Sequence, residues 1–133
     1  MDVYAHRGAS HQLPQHTIEA YELALKQGAD RLEIDLVATK DGILIVRHDA
    51  TLDASINVAA VFDDSRISNK MVDGVMETGY FVSNFTFAEI QTLKARQTKD
   101  YRDVSFDDQF SIPSFQQVLE LVLECVLLSK MVK

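Results

Sequence analysis

Residues 33–50 read EIDLVATKDGILIVRHDA: two acids at alternate positions of an apolar run, an Asp-Gly pair, then a second apolar run ending in His48 and Asp49. Asp-Gly between two β-branched segments is a strong short-range hairpin signal, so this stretch is expected to be two antiparallel strands. With Asp41 and Gly42 as a two-residue loop, Lys40 pairs with Ile43, and outward from there Asp35 faces His48. Facing residues share a side of the ribbon, and period-two alternation adds Glu33 to that side. The expectation is one face carrying Glu33, Asp35 and His48, with Leu32, Ile34 and Leu36 as packing surface on the other.

Upstream, DVYAHRG reads as a short strand closed by Gly8. Residues 17–27 read as a helix, with Thr17 as N-cap, Ile18, Tyr21 and Leu25 on one face, Lys26 in the last turn and Gly28 as the stop. Strand, helix, strand is the opening of a parallel α/β fold, and the hairpin extends its second strand, residues 31–38. His6 and Arg7 then sit at the carboxyl end of the first strand, where α/β folds bind ligands. Residues 51–109 are short polar segments with interspersed aromatics and read as an excursion from that scaffold. Within them Thr86 and Glu89 form a capping box that opens a helix to about residue 95. Ser114 and Gln117 form a second box, and the helix after it carries an apolar stripe of Phe115, Val118, Leu119, Val122 and Val126 that needs a sheet to cover.

Composition narrows the function classes. With 47% hydrophobic and 25% charged residues over 133 positions, the chain reads as one globular domain. Its net charge of -7 repels nucleic acid and anionic membrane over most of the surface, so any anion must be met by local cations. Cys125 is alone, which excludes an internal disulfide framework and a cysteine-rich zinc site, and among Leu121, Val122 and Leu128 it reads as a buried small hydrophobe. No run of about eighteen apolar residues is present, and His6 and Arg7 stand where a signal peptide would be apolar. The compartment stays open: cytoplasmic, or periplasmic or secreted if a leader was removed.

Two carboxylates two apart on a strand make a hard, oxygen-rich site suited to Mg²⁺ or Ca²⁺, and a neighbouring imidazole could add acid-base work. The competing reading has Glu33 and Asp35 facing solvent on one side of a ribbon. The histidine brought by the register and the His-Arg pair ending the first strand favour a site. Arg7 is the natural phosphate clamp, because its planar fork matches phosphate oxygens two at a time. His11 and His16 lie in the polar loop before the helix and read as structural or surface groups.

In this order the residues resemble the glycerophosphodiester phosphodiesterase family. The resemblance runs through AHRGA, LPQHTIEAYELALKQGAD, EIDLVATKDGILIVRHD, TLD, TGYFVSNFTFAEIQTLKARQ and FSIPSFQQVLEL, nearly the whole chain. It implies the N-terminal part of a TIM-type (β/α)₈ barrel with a small inserted subdomain. Residues 1–50 would supply the first βα unit, second strand and hairpin, 51–109 the insertion, and 110–133 the following helix and tail. It further implies metal-dependent hydrolysis of a small-molecule glycerophosphodiester to glycerol 3-phosphate and an alcohol, a reaction of lipid metabolism. In that scheme His6 and His48 are the acid-base pair, Arg7 holds the phosphate, and Glu33 and Asp35 are ligands of a divalent cation, Ca²⁺ or Mg²⁺.

The chain departs from the family in three places. Gln15 stands where a glutamate is usual, Ala54 follows Leu52 and Asp53 where an arginine is common, and the strand that normally brings a third metal carboxylate has no counterpart. A barrel takes roughly 250 residues, so the resemblance implies a truncated chain whose open strand edges invite self-association. Two other functions compete: a related barrel phospholipase acting on phosphoinositides or sphingomyelin, and a catalytically inactive chain acting only as a binding or association module. PQHT and the long FVSNFTFAEI segment favour the glycerophosphodiester branch, while the final SKMVK resembles no family segment.

Overall fold

The structure is a computed structural model that describes residues 1–131. The end of the SKMVK tail lies outside the described residues. The chain opens as expected, with strand β1 (Tyr4–His6), helix α1 (Ile18–Lys26) and strand β2 (Arg31–Glu33), which lies parallel to β1 with Ala5 beside Leu32 and His6 beside Glu33. Thr17 caps α1 by accepting from the Ala20 N–H, and Gly28 follows the helix at φ +89°. Gly8 explains how α1 docks. A Cβ there would lie 2.8 Å from the Ala20 carbonyl carbon, so only glycine lets the chain pass close enough for Ala9 N–H to bond Ala20 O at 2.8 Å.

The second strand changes partners. After Ile34 and Asp35, strand β3 (Leu36–Ala38) pairs antiparallel with strand β4 (Leu44–Val46), Leu36 against Val46. The hairpin is where the sequence placed it and the register is one residue away from the expected one: Arg47, not His48, lies across from Asp35, with Arg47 N–H donating to Asp35 O at 2.9 Å. The loop has three residues, because Thr39 and Ile43 close it by main-chain bonding at 2.9 Å and the Thr39 hydroxyl accepts from Ile43 N–H at 3.0 Å. A two-residue type I′ loop needs positive φ at both positions, and here only Gly42 has it. Asp41 is instead held by its side chain, which accepts from the Thr39 hydroxyl and from Phe87 N–H. Leu36, expected to pack, is 40% exposed because the chain has left the β2 surface by then.

Strand β4 divides the interior. Ile45 enters a core with Leu52, Tyr80, Phe85, Ile90 and Leu93, whereas Val46 enters a second one with Tyr21 and Val118, against which Leu32, Ile34 and Phe115 pack. Both are fully buried or nearly so. Beyond β4 come helix α2 (Val58–Val61), strands β5 (Ser68–Val72) and β6 (Val75–Gly79), helix α3 (Phe87–Ile90) and helix α4 (Phe115–Met131). The β5–β6 hairpin, unforeseen in the sequence, turns at Asp73 and Gly74, both with positive φ, which is the two-residue loop that Asp41 and Gly42 do not make. Both capping boxes are present: Thr86 with Glu89, and Ser114 with Gln117. Helix α3 stops at Ile90, short of residue 95, because Lys94 and Ala95 are taken up by bonding to Asn57 and Ile56. Residues 51–109, expected to form an inserted subdomain, share their core with β4 through Ile45. Cys125 is partly exposed rather than buried, and on α4 Leu119, Leu123 and Leu127 are 45–61% exposed.

Removing the wall between the two cores should cost more than any surface change. Ile45→Ala is expected to lower unfolding free energy by about 2–5 kcal/mol and Leu44→Ala, on the exposed side, by under about 1 kcal/mol; urea denaturation of the two variants checks the difference.

Candidate active site

The parallel register sets His6 beside Glu33 at the carboxyl ends of β1 and β2. The chain then turns through Arg7 in the left-handed region, φ 62°, which aims the Arg7 N–H at Glu33 Oε2, 3.1 Å away. The Arg7 guanidinium reaches across to Asp35, with Nε 3.6 Å from Oδ2, and its NH1 donates to Gln15 Oε1 at 3.3 Å. The glutamine therefore keeps the acceptor that the sequence departure put in question and drops its charge. Arg7 Nε is buried and makes no hydrogen bond within the described residues.

Three of the five expected site residues thus meet directly: Arg7, Glu33 and Asp35. His6 lies next to Glu33 by register with its side chain exposed. His48 is half-exposed, its Nδ1 2.7 Å from Asp49 Oδ1, in a bend that begins after β4 has ended. What holds that bend is Arg47. It is 4% exposed and donates to the carbonyls of Asp49 and Thr51 and to the Ser55 hydroxyl at 2.7 Å. Burial pulls its pKa down to about 10.

The residue that sequence reasoning missed is His16. It is 4% exposed, its Nε2 lies 3.1 Å from Asp35 Oδ2, and its Nδ1 lies 2.6 Å from the Tyr21 hydroxyl. Burial lowers its pKa to about 4, outweighing the opposing pull of Asp35, so the contact joins a neutral imidazole to a carboxylate and is no salt bridge near neutral pH. A carboxylate only accepts, so with a neutral ring Nε2 carries the proton and Nδ1 accepts from Tyr21 O–H, a hydroxyl that also lies 3.3 Å from the Glu33 carbonyl oxygen and shares its one proton between the two acceptors. Burial first, then Glu33 and Asp35, hold the Tyr21 phenol well above its usual range, in keeping with a hydroxyl that donates. His16 also has a left-handed backbone, φ 59°, and its N–H bonds Arg7 O at 3.0 Å. The available signal was positional. With Thr17 as N-cap, His16 and Tyr21 occupy the two positions that staple a helix entry.

Glu33 and Asp35 fit a hard divalent cation in donor type and not in number. Among the described residues no three His, Cys, Asp or Glu side chains converge closely enough to hold a metal ion.

Solved structures share this arrangement of elements. A glycerophosphodiester phosphodiesterase from Agrobacterium tumefaciens superposes with a TM-score of 0.65 at 31% identity, covering 90% of this chain and 42% of that one. A phosphodiesterase from Oleispira antarctica, solved in complex with the product sn-glycerol-3-phosphate, has a TM-score of 0.68 at 24% identity, covering 93% of this chain and 40% of that one. The described residues thus share the fold of a part of these two enzymes. In sequence, glycerophosphodiester phosphodiesterase GDPD6 of Arabidopsis thaliana is 38% identical over 122 residues, which are 90% of this chain and 32% of the relative. The sequence pattern of the Glycerophosphoryl diester phosphodiesterase family matches residues 6–131, and the chain belongs to that family. It spans about a third of the length of the curated relative.

A buried histidine with a depressed pKa makes stability depend on pH in one direction. The unfolded chain takes up the His16 proton near the ordinary value of 6.5 and the folded chain only near 4, so stability is fully present above about pH 6.5 and falls as pH drops toward 4, by roughly 3 kcal/mol. His16→Gln should flatten this part of the acid slope in urea denaturation run between pH 7 and pH 4.

Proposed function

We propose that the chain supplies the phosphate-binding arginine, two cation ligands and both histidines of a glycerophosphodiester phosphodiesterase, which hydrolyses its substrate to glycerol 3-phosphate and an alcohol. One observation carries this: Arg7 is fixed against Glu33 and Asp35 at the carboxyl ends of two parallel strands. The family membership and the product bound to the Oleispira relative support the substrate class.

Arg7 would present its guanidinium to the phosphate, held in place by Gln15 and by the acids beside it. Glu33 and Asp35 would give carboxylate oxygens to a divalent cation, Ca²⁺ or Mg²⁺. Bound there, such an ion would polarise the phosphoryl oxygens and offset the negative charge that builds on them. His6 and His48 would divide the proton work, one imidazole taking the proton from the attacking oxygen and the other giving one to the leaving alkoxide, each worth about 10²- to 10⁴-fold. Residues 51–109, as an inserted subdomain, would help shape the substrate cleft, and Arg47 would keep His48 on its bend.

A second reading concerns this chain by itself and is favoured by the incomplete ligand set: an association module without turnover. The exposed row of Leu119, Leu123 and Leu127 on α4 and the open edge of β2 are surfaces through which copies would associate. Among the described residues no helix is long and apolar enough to cross a membrane.

The purified 133-residue chain, assayed with glycerophosphocholine and millimolar Ca²⁺ or Mg²⁺, is expected to show little or no release of glycerol 3-phosphate. The same residues within a barrel of full length are expected to lose turnover at least 10²-fold on His6→Ala or His48→Ala. Full activity of that longer enzyme in excess chelator contradicts the cation assignment, and robust turnover by the short chain as a monomer contradicts the association reading.

A further inference from the structure

A chain of net charge -7 can hold an anion only where cations gather apart from its acids, and one cleft away from the candidate active site does this. The cleft encloses about 310 Å³ between the β3–β4 loop, the start of β5 and the turn Val82–Asn84. Lys40, Ser65, Arg66, Ser68, Ser83 and Asn84 line it, and no aspartate or glutamate does, in a sequence with 20 of them. Lys70 stands behind this lining. Its Nζ donates to Ser83 Oγ at 2.8 Å and to Asn84 Oδ1 at 2.6 Å, and Asn84 Nδ2 donates in turn to Ser68 Oγ at 2.8 Å. Both serine oxygens accept in these bonds, so each hydroxyl keeps its own proton to donate, and neither proton has an acceptor among the described residues. An ammonium bonded to a hydroxyl oxygen polarises that hydroxyl into a stronger donor. Two of the charges are also uncancelled. Lys70 is bonded to neutral oxygens alone, and the Lys40 ammonium has no ion pair or hydrogen bond among the described residues, although its main-chain N–H is fixed to Phe85 O at 2.8 Å. Arg66 is paired with Glu89 and Ser65 bonds Asp63, so neither supplies a free donor of comparable strength.

We propose that this cleft is a second anion site, which takes the phosphate group of a small phosphomonoester or inorganic phosphate itself. The Lys40 ammonium and the hydroxyls of Ser68 and Ser83 supply the hydrogen bonds, and Lys70 supplies positive charge behind them. These three donors come from three separate segments, which suits a tetrahedral group with several strong acceptor oxygens better than a flat carboxylate. A space of this size lies at the small end of ligand sites, so the occupant is a small molecule rather than a peptide. The cleft shares no residue with Arg7, Glu33, Asp35, His6 or His48, and it stands or falls separately from the phosphate role of Arg7.

The test is an NMR titration of the ¹⁵N-labelled 133-residue chain near neutral pH, with inorganic phosphate and with glycerol 3-phosphate, against sodium chloride at matched ionic strength. Saturable shifts are expected at the amides of Ser68, Ser83 and Asn84, with affinity about three- to fivefold weaker in Lys40→Gln and in Lys70→Gln. Lys40 is exposed, so Lys40→Gln leaves the fold intact, and circular dichroism checks both variants. Tighter binding of glycerol 3-phosphate than of inorganic phosphate identifies an ester as the ligand, and equal or weaker binding identifies the free anion; either supports the site. No saturable shift at these amides, shifts confined to Arg7 and its neighbours, shifts that chloride reproduces, or affinities that both lysine variants leave unchanged overturn it.

Discussion

Strand β4 has no solvent side for two of its residues. Ile45 and Val46 point to opposite faces and each is buried, so the strand is a partition with a hydrophobic core on either hand. A strand in this position has little freedom of register, because a slip of one residue would exchange the two side chains between cores of different shape. Its edges are fixed as well. Val46 N–H bonds Pro113 O on the segment leading into α4, and Arg47 N–H bonds Asp35 O on the segment leaving β2. The site residues on β2 and the loop of His48 are therefore located by the same strand.

The chemistry depends on a balance of charge at this junction. Glu33 and Asp35 would repel each other if nothing intervened, and Arg7 lies against both, one through its main-chain N–H and the other through its guanidinium. The neutral imidazole of His16 adds a hydrogen bond to Asp35 without another full charge. That arrangement stabilises two carboxylates near one cationic side chain and leaves the pair partly open to solvent, which suits a site that must also receive a cation and a phosphate.

Much of this was legible in the sequence. Thr17, Gly28 and the two capping boxes follow from local rules, and each is in the structure because its bonds are short-range, while the βαβ order follows from the alternation of strand and helix patterns. The placing of Arg7 at the end of the strand beside the one that carries Glu33 was also legible, whereas the expected grouping of His48 with Glu33 and Asp35 was not met. The register of the β3–β4 hairpin was not legible, because the same Asp-Gly dipeptide makes a two-residue turn at Asp73 and Gly74 and part of a three-residue turn at Asp41 and Gly42. The difference lies in what holds the Asp41 side chain, the nearby Thr39 hydroxyl and above all the main chain of the distant Phe87. His16 was passed over for a similar reason: its importance comes from Asp35, nineteen positions away, and from burial that polar neighbours concealed.

Amide hydrogen exchange tests the role of β4 most directly. If the strand ties both cores into one cooperative unit, the N–H groups of Val46 and Arg47 should be among the slowest to exchange and should open only with global unfolding. The amides of β5 and β6, whose Met71, Val75 and Met76 are 60–63% exposed, should exchange much faster by local opening. Exchange at Val46 and Arg47 as fast as in the β5–β6 hairpin would contradict the account, since the register that places Arg47 across from Asp35 would then not be held by the two cores.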